Sequence, residues 1–167
     1  MARIDNTRTT AFGLWRYASE FLAAANLVKR EHGEKKFSAV AHYLICHSIE
    51  LSLKAFLRAR MVATKQLSRP PLGHDLRMLL DEARKRRLDR VVSLTPDEIA
   101  IVDDLAKHHV VHRFRYIEIG RYELPIWTPT FVLASKLVIG IQEFCRRNTF
   151  GRQRIEKEEP IPPEATS

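Results

Sequence analysis

Apolar residues recur at spacings of three and four through five segments of the chain, a pattern typical of amphipathic helices that bury one face. Thr9 or Thr10 can cap the first segment, because a threonine hydroxyl accepts a hydrogen bond from a free backbone N–H. Gly33 suits the position just beyond the end of that helix. The predicted helices cover about residues 10–32, 36–61, 74–88, 96 to 112–114, and 129–150.

Local signals mark where the last two helices begin. Thr95 precedes Pro96, and Glu98 follows three residues after the threonine, which is the arrangement of a capping box with proline at the first helical position. Thr128 and Pro129 are predicted to open the last helix in the same way.

The connections predict the fold class. A loop at 70–73 contains two prolines and a glycine, and His74 with Asp75 is predicted to cap the helix that follows it. Near 115–125 the period changes to alternation, which indicates a short extended excursion or a hairpin. Helices joined by short connections pack against each other in antiparallel pairs. We therefore predict an all-α, up-and-down bundle of about five helices.

The domain organisation follows from where the periodic pattern begins and ends. Residues 1–8 are polar and are predicted to form a flexible N-terminus, and residues 9–151 form the bundle. Gly151 is expected just after the last helix. Residues 152–167 are charged and contain several prolines, which predicts a disordered tail.

The second predicted helix combines an apolar surface with charged residues. The stretch Phe37–Leu57 is apolar on nearly every face, yet it contains His47, Glu50 and Lys54. Such a helix lies at the centre of a bundle, where a buried charge requires a partner. Glu50 and Lys54 are four residues apart, the spacing at which two helical side chains meet. The group either fixes the packing of the core or lines a ligand site.

The charge balance favours anionic partners. Among 167 residues, 28 Lys and Arg stand against 20 Asp and Glu, a formal net charge of +8. Such an excess suits RNA, DNA, nucleotides or an acidic protein. The same positive charges are also expected at solvated helix C-termini, where cations are favourable. The two basic clusters comprise Arg84, Lys85, Arg86, Arg87 and Arg90, and Arg146, Arg147, Arg152 and Arg154.

Other features predict a cytoplasmic protein without cofactors. Cys46 and Cys145 both lie in apolar helical patterns and are expected to pack as reduced thiols. The N-terminus lacks the apolar centre of a signal peptide. No run reaches the roughly 18 consecutive apolar residues that a membrane helix requires, so we expect no membrane partner.

The densest polar chemistry lies at residues 107–116. His108 and His112 are four apart and share a helix face, but no acidic third ligand lies at a telling spacing, so no metal is expected. Histidine is suited to general acid–base chemistry near neutral pH. His112 with Lys107, Arg113 or Arg115 has the groups for RNA cleavage. The alternative is a polar helix end with cations near its carbonyl groups.

Three elements in order resemble a known family. The second helix reads E-L-S-L-K-A-F-L from Glu50 to Leu57, the third begins H-D-L at His74, and Arg115 with Tyr116 follows the fourth. This set resembles the HEPN domain, the nucleotide-binding superfamily of higher eukaryotes and prokaryotes, over roughly residues 12–146. The resemblance implies a helical bundle that is often a homodimer.

In many members of that family the implied activity is metal-independent RNA cleavage by an arginine and a histidine four to six residues later. Here Lys107 stands upstream of His112 at that distance, and lysine lacks the planar fork that holds a phosphate bidentately. Members without the motif resemble binding modules that pair with a nucleotidyltransferase in toxin–antitoxin or defence systems.

We therefore expect a HEPN-like binding module for nucleotide, RNA or a partner protein. The alternatives are a metal-independent ribonuclease that uses His112 with Lys107, Arg113 or Arg115, and a helical scaffold with no nucleic-acid role. We expect Arg115 to reach Glu50 if the second and fourth helices are neighbours. The predicted ligand-binding residues are Arg115, Tyr116, Arg113, His108, Glu50, Lys54 and His47.

Overall fold

A computed structural model describes residues 9–33, 36–109 and 126–157, with only the backbone at 108, 109 and 152–157. Within these ranges the chain is all-helical and forms six α-helices and one 3-10 turn. The prediction of an all-α helical bundle is confirmed. The elements are α1 (Ala11–His32), α2 (Ala39–Ala59), α3 (Thr64–Leu67), α4 (Leu76–Lys85), the 3-10 turn (Leu88–Arg90), α5 (Pro96–His109) and α6 (Trp127–Lys157).

Three long helices, α1, α2 and α6, form the main part of the bundle. Arg58 near the end of α2 donates to the carbonyl of Thr9, whereas Ser48 in the middle of α2 donates to Ala18, so α1 and α2 are antiparallel. The indole of Trp15 donates to the Val138 carbonyl at 2.8 Å and ties α1 to α6. Buried alanines in α1, such as Ala18, let the helix backbones approach closely.

The shorter helices α4 and α5 cover one side of the three long helices. Contacts join α2 to α4, α4 to α5, and α5 to α6. The apolar stripe predicted for α4 is confirmed, because all four of its residues are buried. These residues are Leu76, Leu79, Leu80 and Ala83. The core therefore lies between α2 and the elements on both sides of it.

Several predicted caps are confirmed. The hydroxyl of Thr10 accepts from the N–H of Gly13, and Gly33 follows α1 with a φ of 93°, a value that favours glycine. At the start of α5, Thr95 and Glu98 exchange hydrogen bonds, since each side chain accepts from the other's backbone N–H. The capping box predicted from the sequence is thus present.

The predicted bounds of α6 were wrong at both ends. The helix begins at Trp127, so Thr128 is not its cap and Pro129 lies inside the first turn. Proline is tolerated there because the first N–H groups of a helix have no partner within it. The helix also continues past Gly151 to Lys157, because one glycine costs only about 1 kcal/mol in a helix. The predicted tail therefore overlaps the helix at 152–157.

Smaller differences concern the segment between α2 and α4. The sequence pattern did not predict α3, which is a single turn of helix. The third predicted helix, 74–88, is shorter in the structure, where α4 covers Leu76–Lys85 and a separate 3-10 turn follows. The predicted excursion at 115–125 and the predicted flexible residues 1–8 lie outside the described residues.

Candidate functional site

The candidate site is built around Glu50, in the middle of α2. Its side chain is 1% exposed, and α2 packs against α1, α4 and α6. Ser38 caps the helix, because its hydroxyl accepts from the N–H of Ala41. Because so much of α2 is apolar, its interior position is expected, and Glu50 must then find its partners inside the protein.

Lys54 and His74 both bind the same oxygen of Glu50. The Nζ of Lys54 lies 2.7 Å from Oε1 of Glu50, and the Nδ1 of His74 lies 3.1 Å from it. Lys54 is buried with its partner, whereas the side chain of His74 is 52% exposed. The cluster thus extends from the core to the surface, and the expected pairing of Glu50 with Lys54 is confirmed.

The loop before α4 positions His74. His74 and Asp75 were predicted to cap α4 together, but in the structure they have different roles. Asp75 alone caps α4, because its Oδ1 accepts from the N–H groups of Arg77 and Met78. His74 turns toward Glu50 instead. His74 was not among the predicted site residues, because no spacing in the sequence indicates that the loop before α4 brings it to Glu50.

His47 lies next to the cluster but makes mainly aromatic contacts. Its ring centroid is 4.6 Å from that of Phe21 on α1, edge to face, and 5.7 Å from that of Tyr43, stacked. The Nδ1 of His47 is 3.8 Å from Oε2 of Glu50. His47 therefore links the packing of α1 on α2 to the buried carboxylate.

The two cysteines are unsuited to nucleophilic chemistry. Burial raises the pKa of the Cys46 thiol, and the charge of Glu50, one turn away, raises it further. Burial also raises the pKa of Cys145 to about 12. Both cysteines are free and buried, as predicted from their apolar surroundings. Neither forms a reactive thiolate near neutral pH.

Most of the predicted catalytic segment is not described. Lys107 is exposed on α5, and its Nζ lies 2.7 Å from Oδ1 of Asp104, one turn earlier. Of His108 only the backbone is described. His112, Arg113, Arg115 and Tyr116 lie outside the described residues. The expected contact between Arg115 and Glu50 therefore stays a prediction.

The two basic clusters have different surroundings. Arg84 and Lys85 lie in the last turn of α4, where the prediction of cations at a helix end is confirmed. Arg146 and Arg147 instead lie within α6, so that prediction was wrong for them. Their hydrogen bonds to Glu143 hold the pKa of that carboxyl at about 2.

The described residues also bear on metal binding and membrane insertion. Among the described residues, no group of three or more histidine, cysteine, aspartate or glutamate side chains is placed to hold a metal ion. Within the same part of the chain, no helix combines the length and the hydropathy needed to cross a bilayer.

Comparison of the chain with models of protein families, with curated proteins and with solved structures yields no match. What the protein binds is therefore inferred from the contacts of its own residues.

Proposed function

We propose that the chain is a HEPN-like helical module that binds RNA or a nucleotide. The observation that supports this proposal most is the shared contact of Glu50, Lys54 and His74. Glu50 and Lys54 belong to the E-L-x-L-K motif, and His74 belongs to the H-D-L motif, 24 residues from Glu50 in sequence. The resemblance is stronger when residues of both motifs contact the same oxygen of Glu50 than when the two motifs are only present in the same sequence.

The chemistry of the cluster suits an anionic ligand. Glu50 holds Lys54 and His74 in place, and the half-exposed imidazole of His74 is the part of the cluster nearest to solvent. When the ring is protonated, its Nδ1 donates to Glu50 and its Nε2 can donate to an anionic ligand. The net charge of +8 would also concentrate anions near the protein. The residues predicted to complete the site are His108, Arg113, Arg115 and Tyr116.

A partner protein belongs to the same proposal. The resemblance implies a homodimer and pairing with a nucleotidyltransferase in a toxin–antitoxin or defence system. Such a partner would bind next to the cluster of Glu50, Lys54 and His74, or at the interface between two copies of the chain. Both ideas stay predictions, and the size of the purified protein in solution tests the dimer directly.

Ribonuclease activity is the catalytic alternative. It would need His112 as the acid or base and Lys107 as the cation that stabilises the charged phosphorane. Lys107 is available on the surface of α5, although it is paired with Asp104. Incubation of the protein with RNA in the presence of a metal chelator tests this alternative. Cleavage that is lost in His112→Ala would support it, and intact RNA would exclude it.

Binding is tested by fluorescence anisotropy with a labelled single-stranded RNA at increasing salt. We expect the affinity to fall as salt rises, since a protein that contacts phosphates releases counterions. The double variant Arg113→Gln/Arg115→Gln should weaken binding at least about tenfold and reduce the salt dependence by about two phosphate contacts. The matched control is Arg146→Gln/Arg147→Gln on α6, which removes the same charge from an exposed helix face bound to Glu143.

The outcomes separate the proposals. Equal losses in both double variants would indicate that only net charge matters and would contradict a site beside Glu50. Absence of RNA and nucleotide binding at low salt would favour the helical scaffold without a nucleic-acid role. Binding that is strong but insensitive to salt would also contradict the proposal.

A further inference from the structure

A cleft between α3 and α4 is a second concave surface of the bundle. Its volume is about 540 Å³, within the range of about 300–1,000 Å³ that is typical of small-molecule sites. One face of α4 forms one wall, with Met78, Asp81 and Lys85 at spacings of three and four residues. The other wall is formed by α3 and the loop that follows it.

The walls of the cleft are held in place by contacts within the protein. The N–H of Gly73 donates to the carbonyl of Arg69 at 2.8 Å, which closes the loop after α3. On α4, the Nε of Arg86 lies 2.6 Å from Oε1 of Glu82. Leu67 of α3 is buried in the core, so this short helix is attached to the bundle. The cleft is therefore formed before a ligand binds, which lowers the conformational cost of binding.

Three cations of the cleft have no carboxylate partner among the described residues. Lys65, Arg69 and Lys85 are exposed, and no described carboxylate forms an ion pair with them within 4 Å. Arg86 is already neutralised by Glu82, so these three side chains give the cleft its positive charge. A ligand with several anionic oxygens suits them, because each can form a charge-assisted hydrogen bond.

Asp81 adds an acceptor to this cationic surface. It lies four residues before Lys85, a spacing at which opposite charges on a helix commonly pair. Yet no ion pair within 4 Å joins Asp81 to Lys85 or to any other described cation. An ionised carboxylate only accepts hydrogen bonds, so it favours a ligand that has hydroxyl or amino donors besides its anionic group.

Apolar side chains complete the lining of the cleft. Val62 belongs to the core, Leu72 packs against it, and Met78 is exposed on α4. Pro70 and Pro71 add apolar surface from the loop. Methionine is flexible and polarizable and makes favourable contacts with aromatic rings. The cleft thus offers apolar surface for a flat ring next to charges for the polar groups that the ring carries.

We propose that this cleft binds a nucleoside phosphate. The base contacts the apolar side chains, the phosphates bind the three unpaired cations, and the ribose hydroxyls donate to Asp81. Glu50, Lys54 and His74 line no part of the cleft, so this site is separate from the proposed RNA site. A free nucleotide and a nucleotide of an RNA strand share this chemistry, and the experiments below distinguish them.

Calorimetric titration of the full chain with ADP, pyrophosphate and adenosine, without added metal, tests the proposal. We expect ADP to bind at least about tenfold more tightly than either of the other two, because only ADP makes contacts of all three kinds. ADP binding no tighter than that of pyrophosphate would overturn the proposal, since the apolar side chains and Asp81 would then contribute nothing. Absence of ADP binding at millimolar concentration would also overturn it.

Variants test each part of the cleft. Lys65→Gln/Arg69→Gln should weaken the binding of both ADP and pyrophosphate at least about tenfold. Met78→Gln should weaken the binding of ADP and leave that of pyrophosphate unchanged. Asp81→Ala should weaken the binding of ADP but strengthen that of pyrophosphate, because it removes an acceptor for the ribose and a charge that repels the anion. If Met78→Gln and Asp81→Ala both leave ADP affinity unchanged, the proposal is wrong.

The matched control removes the same charge from another part of the protein. Arg146→Gln/Arg147→Gln lies on α6 outside the cleft and should leave the affinity for ADP nearly unchanged. An equal loss in this control and in Lys65→Gln/Arg69→Gln would show that only net charge matters and would overturn the proposal. Circular dichroism of each variant confirms that the bundle is folded.

Two further comparisons separate this cleft from the proposed RNA site. ADP affinity should be unchanged in Arg113→Gln/Arg115→Gln, and a loss in that variant alone would assign ADP to the RNA site and overturn the proposal. If ADP does not bind and Lys65→Gln/Arg69→Gln weakens RNA binding, the cleft holds an RNA strand instead of a free nucleotide. ADP binding in the cleft without any RNA binding would support this proposal and contradict only the proposed RNA site.

Discussion

The Nδ1 of His74, in the loop before α4, lies 3.1 Å from the Oε1 of Glu50 in the middle of α2. That contact gives the buried carboxylate a partner from outside its own helix and joins it to the surface. It also fixes the loop that leads into α4, because the next residue, Asp75, caps that helix. The position of α4 on α2 is therefore coupled to the charge of Glu50.

The pair of Glu50 and Lys54 should be sensitive to the loss of one partner. Lys54→Met is expected to lower the free energy of unfolding by about 3 kcal/mol, because it removes the ammonium that lies 2.7 Å from the buried carboxylate. Replacing both residues in Glu50→Leu/Lys54→Met should recover much of that loss. Urea unfolding followed by circular dichroism measures both values. His74→Ala is the control and should cost less than about 1 kcal/mol, since His74 is half exposed.

A wild-type stability in Lys54→Met would show that the pair contributes nothing to folding. The same result would favour a role of Lys54 in ligand binding over a role in the packing of the core.

Gly140 allows α6 to approach the segment after the 3-10 turn. A Cβ at this position would overlap with Cγ2 of Val92. Gly140→Ala should therefore lower the free energy of unfolding by about 1–3 kcal/mol, and a second change, Val92→Ala, should offset part of this strain. Gly151→Ala in the same helix is the control, because a Cβ there would meet no described neighbouring element within 4 Å. It should raise stability by about 0.5–1 kcal/mol.

The ion pair of Glu98 with Lys136 should make the stability of the protein depend on pH. Burial alone would raise the pKa of Glu98, but hydrogen bonds from Lys136 and Thr95, with the charge of Lys136, lower it below the usual value. The stabilisation is therefore complete above the pKa of an unfolded glutamate, about 4.3, and is lost as the pH falls through the lower folded value. Urea unfolding between about pH 6 and pH 3 should show a shallower decline in Glu98→Gln than in the wild type. Parallel curves would contradict this assignment.

Arg87 occupies a left-handed conformation just after α4, with φ 68° and ψ 42°. Such a position commonly holds glycine, because a side chain costs about 1–2 kcal/mol there. Arg87→Gly should raise the free energy of unfolding by about 1 kcal/mol, which a higher melting temperature would show. Arg84→Gly, inside the helix, should lower stability by a similar amount, about 1 kcal/mol. A decrease in both variants would show that the arginine side chain stabilises the fold by other contacts.

Local sequence patterns predicted most of the helices. The apolar stripe of α4 and the capping box at Thr95 and Glu98 depend on residues three or four apart, so both could be recognised without any knowledge of distant contacts. The end of α6 could not be recognised in this way, because a single glycine such as Gly151 destabilises a long helix too little to end it. The single turn α3 is too short for a periodic pattern to predict it.

The candidate site was predicted in part. Glu50 and Lys54 lie on one helix, so their spacing alone predicted the contact. The contact of His74 with Glu50 depends on how the loop before α4 folds back on α2, which no spacing in the sequence indicates. The placement of Gly140 against Val92 is likewise a consequence of packing between distant segments.

The sequence by itself determined that the long helices form and that α2 is central, because these properties depend on periodicity and on the cost of exposing apolar surface. It also required a partner for Glu50, since a buried charge is unstable alone. Only the tertiary structure decided that His74, from the loop before α4, is one of the partners of Glu50. Loop conformation and helix packing set that choice, because they depend on the simultaneous fit of α2 and α4 in one core.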